Sequence, residues 1–163
     1  EIVTAIRDTG ATRVAIDVIG VGWGVAGRLA EVIEEDDELK VEVIKVNVGE
    51  ASTEPKRFVN LRAQLWMSVG RERTMQGTWN LQAIDDDTAA DLTAPRYSLD
   101  SKGRTIVEKK SEVKARLGRS PDDADALLLA FYAKDTKIKV HSARDLRRPV
   151  RSGSPGRATV TGR

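Results

Sequence analysis

Residues 118–129 read Gly-Arg-Ser-Pro-Asp-Asp-Ala-Asp-Ala-Leu-Leu-Leu, three carboxylates at the head of an apolar run. Ser120 suits a helix N-cap, and Pro121 suits the first helical position, where its missing N–H costs nothing. Asp123 then stands where a capping box has Glu, and it is assigned to capping. Asp122 and Asp125 are three residues apart, so they project from one helix face, with Asp122 at the positive end of the helix dipole. The dipole favours its charge, whereas the like-charged neighbour opposes it unless a cation sits between them. Hard divalent ions prefer such carboxylate oxygens. Acidic residues are also common in solvated first turns, so a cation site and a bare helix start both stand as readings.

Asp17 lies between Ile16 and Val18, inside an apolar run and just before a glycine-rich turn. A carboxylate within a covered strand is costly unless it is paired or metal-bound. Capping of the following turn is the plainer alternative. Ligand sites of open α/β sheets nevertheless gather at the carboxyl ends of strands. One strand acid with two on a later helix is the layout a divalent-ion nuclease requires: the ions activate water, stabilise the leaving oxygen and neutralise the phosphate. The competing motif is Gly22-Trp23-Gly24-Val25-Ala26-Gly27, a literal G-x-G-x-x-G. A dinucleotide site would want an acid at the end of the next strand, but Glu42 falls within that strand and its end offers Asn47. The glycines are read instead as a tight turn beside the acids.

These residues need a scaffold. Residues 1–9 read as a helix stopped by Gly10, and Arg13–Ile19 as a strand covered on both faces. Val25–Ile33 has helical apolar spacing, and Lys40–Val46 reads as the next strand, completing a parallel crossover unit. Arg57–Val69 reads as a helix with Phe58, Leu61, Leu65 and Trp66 on one face, and Asp85–Leu92 as a shorter one. Tyr97–Leu99 and Thr105–Val107 flank a turn of Asp100, Ser101, Lys102 and Gly103, predicting a hairpin. Ser111–Leu117 and Pro121–Tyr132 are the last two predicted helices.

A chain of 163 residues fits one domain. The absence of Cys excludes disulfides, thiolate zinc sites and cysteine nucleophiles, and the single His141 makes a Ser-His-Asp triad improbable. Aromatics at 4% argue against base stacking on an aromatic platform, and Trp23 and Trp66 are read as packing residues. No apolar run approaches the roughly 20 residues of a membrane span. The net charge of +2 conceals a split. Residues 134–163 carry nine Lys and Arg against two Asp, leaving 18 basic and 23 acidic groups in residues 1–133. Two parts are therefore expected, a globular unit over 1–133 and a basic, largely disordered tail over 134–163, with no role for His141. A start at Glu1 rather than Met suggests a fragment.

The run Ile16–Leu29, centred on Asp17 and the glycines, resembles the second acidic motif of phage terminase large-subunit nuclease domains. Phe58–Trp66 resembles the helix that follows it, and Asp91–Thr93, Ile106–Leu117 and Ser120–Leu127 are similar to the closing segment, all in order. The resemblance implies a ribonuclease-H-like α/β fold, a central mixed sheet flanked by helices. It implies an endonuclease that cuts concatemeric double-stranded viral DNA with Mg²⁺ or Mn²⁺ in the cytoplasm of a bacterial host. It also implies a terminase ATPase region, a small terminase subunit and a portal as partners. Carried over by position, Asp17 is the second catalytic acid, Asp122 the third and Asp125 an auxiliary one, all three metal ligands. The family's first catalytic Asp has no match, because Asp8 falls in the first helix. The expectation is therefore an N-terminally truncated module with an incomplete sheet, an incomplete metal site and weak or absent activity by itself. Arg62, Lys109 and Lys110 are candidate DNA-phosphate contacts, or else solvated charges. A non-catalytic remnant that binds DNA or a packaging partner is the main alternative, and a dinucleotide-binding unit the lesser one.

Overall fold

The computed structural model describes residues 1–135, so His141 and the proposed basic tail, apart from Lys134 and Asp135 at the end of the last helix, lie outside the described residues. Helix α1 (Ile2–Thr9) leads into strand β1 (Arg13–Asp17), helix α2 (Gly22–Glu35) and strand β2 (Glu42–Val46). The strands pair in parallel, Arg13 opposite Glu42 and Asp17 opposite Val46. This is the predicted crossover unit, with β1 ending two residues before Ile19. A helical stretch then opens as α3 (Leu61–Gln64), widens into a π-helix over Leu65–Glu72 and closes as α4 (Arg73–Met75). Its N-terminus is set by Asn60, whose side-chain oxygen accepts from the Ala63 amide at 2.9 Å. Helix α5 (Asp86–Thr93), the hairpin β3 (Tyr97–Leu99) and β4 (Thr105–Val107), α6 (Lys110–Leu117) and α7 (Asp122–Asp135) complete the order.

Among the described residues the strands form two separate two-stranded sheets, a parallel pair and an antiparallel hairpin. The hairpin is stitched to the loop before α3 through an isolated bridge of Phe58 to Thr105. The expected mixed sheet is thus present in small pieces.

Side-chain alternation along the parallel pair divides the core in two. Val43 packs with Ile6, Ala26, Leu29 and Ala30 of α1 and α2, and Val14 and Ile16 join it. Ile44 and Val46 point the other way, into a larger cluster with Leu65, Trp66, Val69, Leu128 and Leu129, against which Ala15 packs. The sheet is therefore covered on both faces, which explains its near-continuous apolar runs. Asp17 follows Ala15 by two, so it shares the face turned toward α7.

Three local readings change. The helix expected over Arg57–Val69 starts at Leu61 and runs on to Met75, so Phe58 lies in the loop before it, bridged to Thr105. Helix α2 starts at Gly22, three residues earlier than its apolar spacing suggested, so Gly22, Gly24 and Gly27 all lie inside it. The turn is made upstream by Gly20 at φ 67°. Helix α7 starts at Asp122, and the Pro121 carbonyl accepts from the Asp125 amide at 3.0 Å. Pro121 rather than Ser120 thus takes the cap position, and Asp123 moves out of the capping-box register.

Candidate functional site

Asp17 ends β1, and its Oδ1 accepts from the Ile19 amide at 3.1 Å, fixing the chain as it leaves the strand. The turn-capping role weighed from sequence is therefore real. The next turn comes back so tightly that a Cβ on Gly22 would sit 1.7 Å from the Asp17 carbonyl oxygen. Only glycine lets α2 start there.

Asp17, Asp122 and Asp125 line one cavity of about 410 Å³, together with Asn60, Arg62, Trp66, Lys109 and Lys110. Every candidate site residue named from the sequence is in that lining. The acids come from β1 and the first turn of α7, the arginine and tryptophan from α3 and the π-helix, and the lysines from the start of α6.

The two helix acids differ sharply. Asp125 is largely buried and Asp122 is 70% exposed. Asp125 Oδ1 accepts from Arg62 Nη1 at 2.8 Å and from Trp66 Nε1 at 3.1 Å. Lys110 Nζ lies 3.1 Å from Asp125 Oδ2 and 2.5 Å from Asp122 Oδ1. Burial pulls the Lys110 pKa down, but its hydrogen bond to Asp122 and the pull of both carboxylates outweigh that, and the net shift is upward. Both acids are thus charge-compensated. Arg62 is mostly buried, and its Nε and Nη2 have no hydrogen-bond partner.

Sequence reasoning placed Arg62 and Lys110 on the surface as DNA contacts and did not see them as partners of the acids. The available signal was spacing: Arg62 and Trp66 are i and i+4, one helix face, and both end on Asp125. Trp66 is a packing residue as expected, buried at 6% exposure, but its N–H also does polar duty. Lys109 lines the cavity, while its backbone amide donates to Glu112 Oε2 at 3.2 Å to start α6.

The donor set suits a hard cation only in part. Asp122 and Asp125 already converge on one, the Lys110 ammonium. Among the described residues, no three of His, Asp and Glu stand close enough to hold a metal ion. Asp17 faces the same cavity without joining the two helix acids in one cluster. A divalent ion would take the place that the ammonium fills, with Asp122 and Asp125 as its first ligands.

The sequence matches no protein-family model and no curated protein. Its structure is similar to the nuclease domain of the large terminase subunit gp2 of bacterial virus Sf6, at TM-score 0.62 and 21% identity over 78% of this chain and 68% of that one. A lysine-to-alanine variant of that nuclease domain with manganese matches at TM-score 0.61 and 21% identity, covering 78% of this chain and 69% of that one. The same kind of variant from bacteriophage Sf6 with calcium matches at TM-score 0.62 and 21% identity, over 78% of this chain and 68% of that one. The chain has the ribonuclease-H-like fold of a phage terminase nuclease domain.

Proposed function

We propose that this chain is the nuclease module of a viral genome-packaging terminase large subunit, cutting concatemeric double-stranded DNA with Mg²⁺ or Mn²⁺. The observation that carries the reading is the meeting of Asp17, from the end of β1, with Asp122 and Asp125, from the start of α7, around one cavity. The fold neighbours solved with manganese and calcium support a divalent ion. In this reading Asp122 and Asp125 hold the metal, Asp17 is the strand acid, and the metal supplies the charge that activates water and steadies the leaving oxygen. Lys109 adds positive charge on the same cavity wall for the DNA phosphates, and Lys110 joins it where a metal takes its place between the acids, while Arg62 stays paired with Asp125. The partners are double-stranded DNA, the terminase ATPase region, the small terminase subunit and the portal. The setting is the cytoplasm of a bacterial host.

A non-catalytic DNA-binding remnant is the second reading, favoured by the want of a three-acid cluster among the described residues. The dinucleotide reading is the lesser one, because β2 ends at Val46 and is followed by Asn47, which offers no acid for a ribose hydroxyl.

Nicking of supercoiled plasmid in Mn²⁺ separates the two main readings. The chain by itself is expected to nick weakly or not at all. A form extended upstream is expected to nick, and Asp122→Ala in that form is expected to abolish it. Retardation of DNA by the extended form without any nicking would overturn the enzyme reading in favour of the remnant.

A further inference from the structure

Asp91 is a charged residue that the site as described does not use. It lies in α5 at 2% exposure, among the most deeply buried side chains of the protein. A carboxylate so placed is costly unless a cation comes to it. The cation is Arg119, whose Nη1 pairs with Asp91 Oδ1. Arg119 belongs to the short loop between α6 and α7, where Gly118 at φ 77° has just ended α6. Pro121, two residues on, is itself fully buried, and Asp122 follows at once. The loop is thus pegged twice immediately before the site, once by charge and once by an apolar ring.

Asp125 has three donors of its own, from Arg62, Trp66 and Lys110. Asp122 is mostly exposed and is held through Lys110. Its place depends on where the loop delivers the first turn of α7. We propose that Asp91 is a positioning residue for Asp122, acting through Arg119 to fix the α6–α7 loop. This rests on Asp122 being a site carboxylate, as argued above.

Replacing both partners with apolar groups, Asp91→Leu with Arg119→Met, leaves no stranded charge and is expected to keep the fold. Two readouts then follow. Hydrogen exchange of the Asp125 amide, which closes the first turn of α7 onto Pro121, is expected to quicken about tenfold while the Leu128 amide stays as protected as before. Binding of Tb³⁺, read through luminescence sensitised by tryptophan, is expected to weaken about tenfold, the usual cost of losing the support behind a metal ligand. Arg119→Lys keeps the charge at the peg and is expected to retain most of both properties. If the double variant folds and keeps parental exchange at Asp125 and parental Tb³⁺ affinity, the positioning role is overturned. If the parent binds no Tb³⁺, the metal reading fails, and the exchange measurement alone decides the role of Asp91. Should the double variant not fold, Arg119→Gln is read by the same two measurements with the same deciding outcomes.

Discussion

The end of β1 and the start of α7 bring carboxylates to the same cavity by opposite means. At β1 the backbone does the positioning: Asp17 is fixed by strand pairing, by its own bond to the Ile19 amide and by a turn that passes within contact of its carbonyl. At α7 side chains do it: Arg62, Trp66 and Lys110 converge on Asp125, and Arg119 ties the loop before Asp122 to the buried Asp91. A carboxylate set by backbone is insensitive to its neighbours' side chains and intolerant of any added atom nearby. One set by side chains can be retuned residue by residue.

The sharpest way to break the comparison is on the backbone side. In Gly22→Ala the new Cβ would lie 1.7 Å from the Asp17 carbonyl oxygen, so strand or helix must shift. The expected cost is about 3 kcal/mol or more. Gly24→Ala, two residues along the same helix and with nothing within 4 Å of its Cβ, is the control. It is expected to stabilise by about 0.5–1 kcal/mol, the ordinary gain of Ala over Gly in a helix. Thermal unfolding of the two variants checks the contrast, and equal midpoints would end the claim that this turn is sterically set.

That contrast also governs what the sequence disclosed. Backbone-driven features were legible. The run from Arg13 and the apolar strand before Asn47 gave the parallel unit, and the turn residues 100–103 gave a hairpin whose bounds match. The helix boundaries at Gly22 and Asp122 were off by one to three residues, because glycines inside a helix mask its start and a Ser-Pro pair imitates a cap. What could not be read were contacts between distant segments. The meeting of Lys110 with Asp122 and Asp125, of Arg62 with Asp125 across 63 positions, and of Asp91 with Arg119 depends on how α3, α5, α6 and α7 pack. An Asp in the last turn of a short helix that also carries Asp86 and Asp87 reads as surface until packing buries it. The π-helix over Leu65–Glu72 was equally hidden, since its residues have ordinary helical spacing.

On the side-chain side, Lys110→Met removes the cation now standing between Asp122 and Asp125. Both lysine and Asp122 are well exposed, so the ion pair itself is worth no more than ~1 kcal/mol and the fold is expected to persist. The two carboxylates would then have only Arg62, on Asp125, to compensate them, leaving Asp122 without a cation, a situation that a divalent ion relieves. Mn²⁺ or Tb³⁺ is expected to bind about fivefold tighter than to the parent, the factor that ~1 kcal/mol of removed competition gives. Calorimetric titration checks it. Unchanged or weaker binding would mean that the ammonium is a structural partner of the acids rather than an occupant of the cation position.

The smallest effect concerns the strand end that delivers Lys110. Glu108 follows β4 directly, and its carboxylate accepts from Arg116 (Nη2 to Oε2 at 2.6 Å) and from the Arg96 amide (3.0 Å). The Arg116 hydrogen bond first and the Arg96 amide second pull its pKa from 4.5 down to about 2. A carboxyl group with a depressed folded pKa adds stability that is fully present above its unfolded value and lost as pH falls through the folded one. Its contribution is therefore expected to hold above about pH 4.5 and to fade toward pH 2. Glu108→Gln is expected to flatten the stability curve in that window, with the loss full at pH 4.5 and above, pH 7 included, and vanishing toward pH 2. Denaturant midpoints at pH 2.5, 3.5, 4.5 and 7 check this, and parallel curves for the parent and variant would show that the Arg116 contact is not what sets the path from β4 into Lys109 and Lys110. Because that path carries the ammonium to Asp122 and Asp125, a loosened Glu108 is also expected to soften the acid pair's compensation before it disturbs Asp17, whose hold is in the backbone.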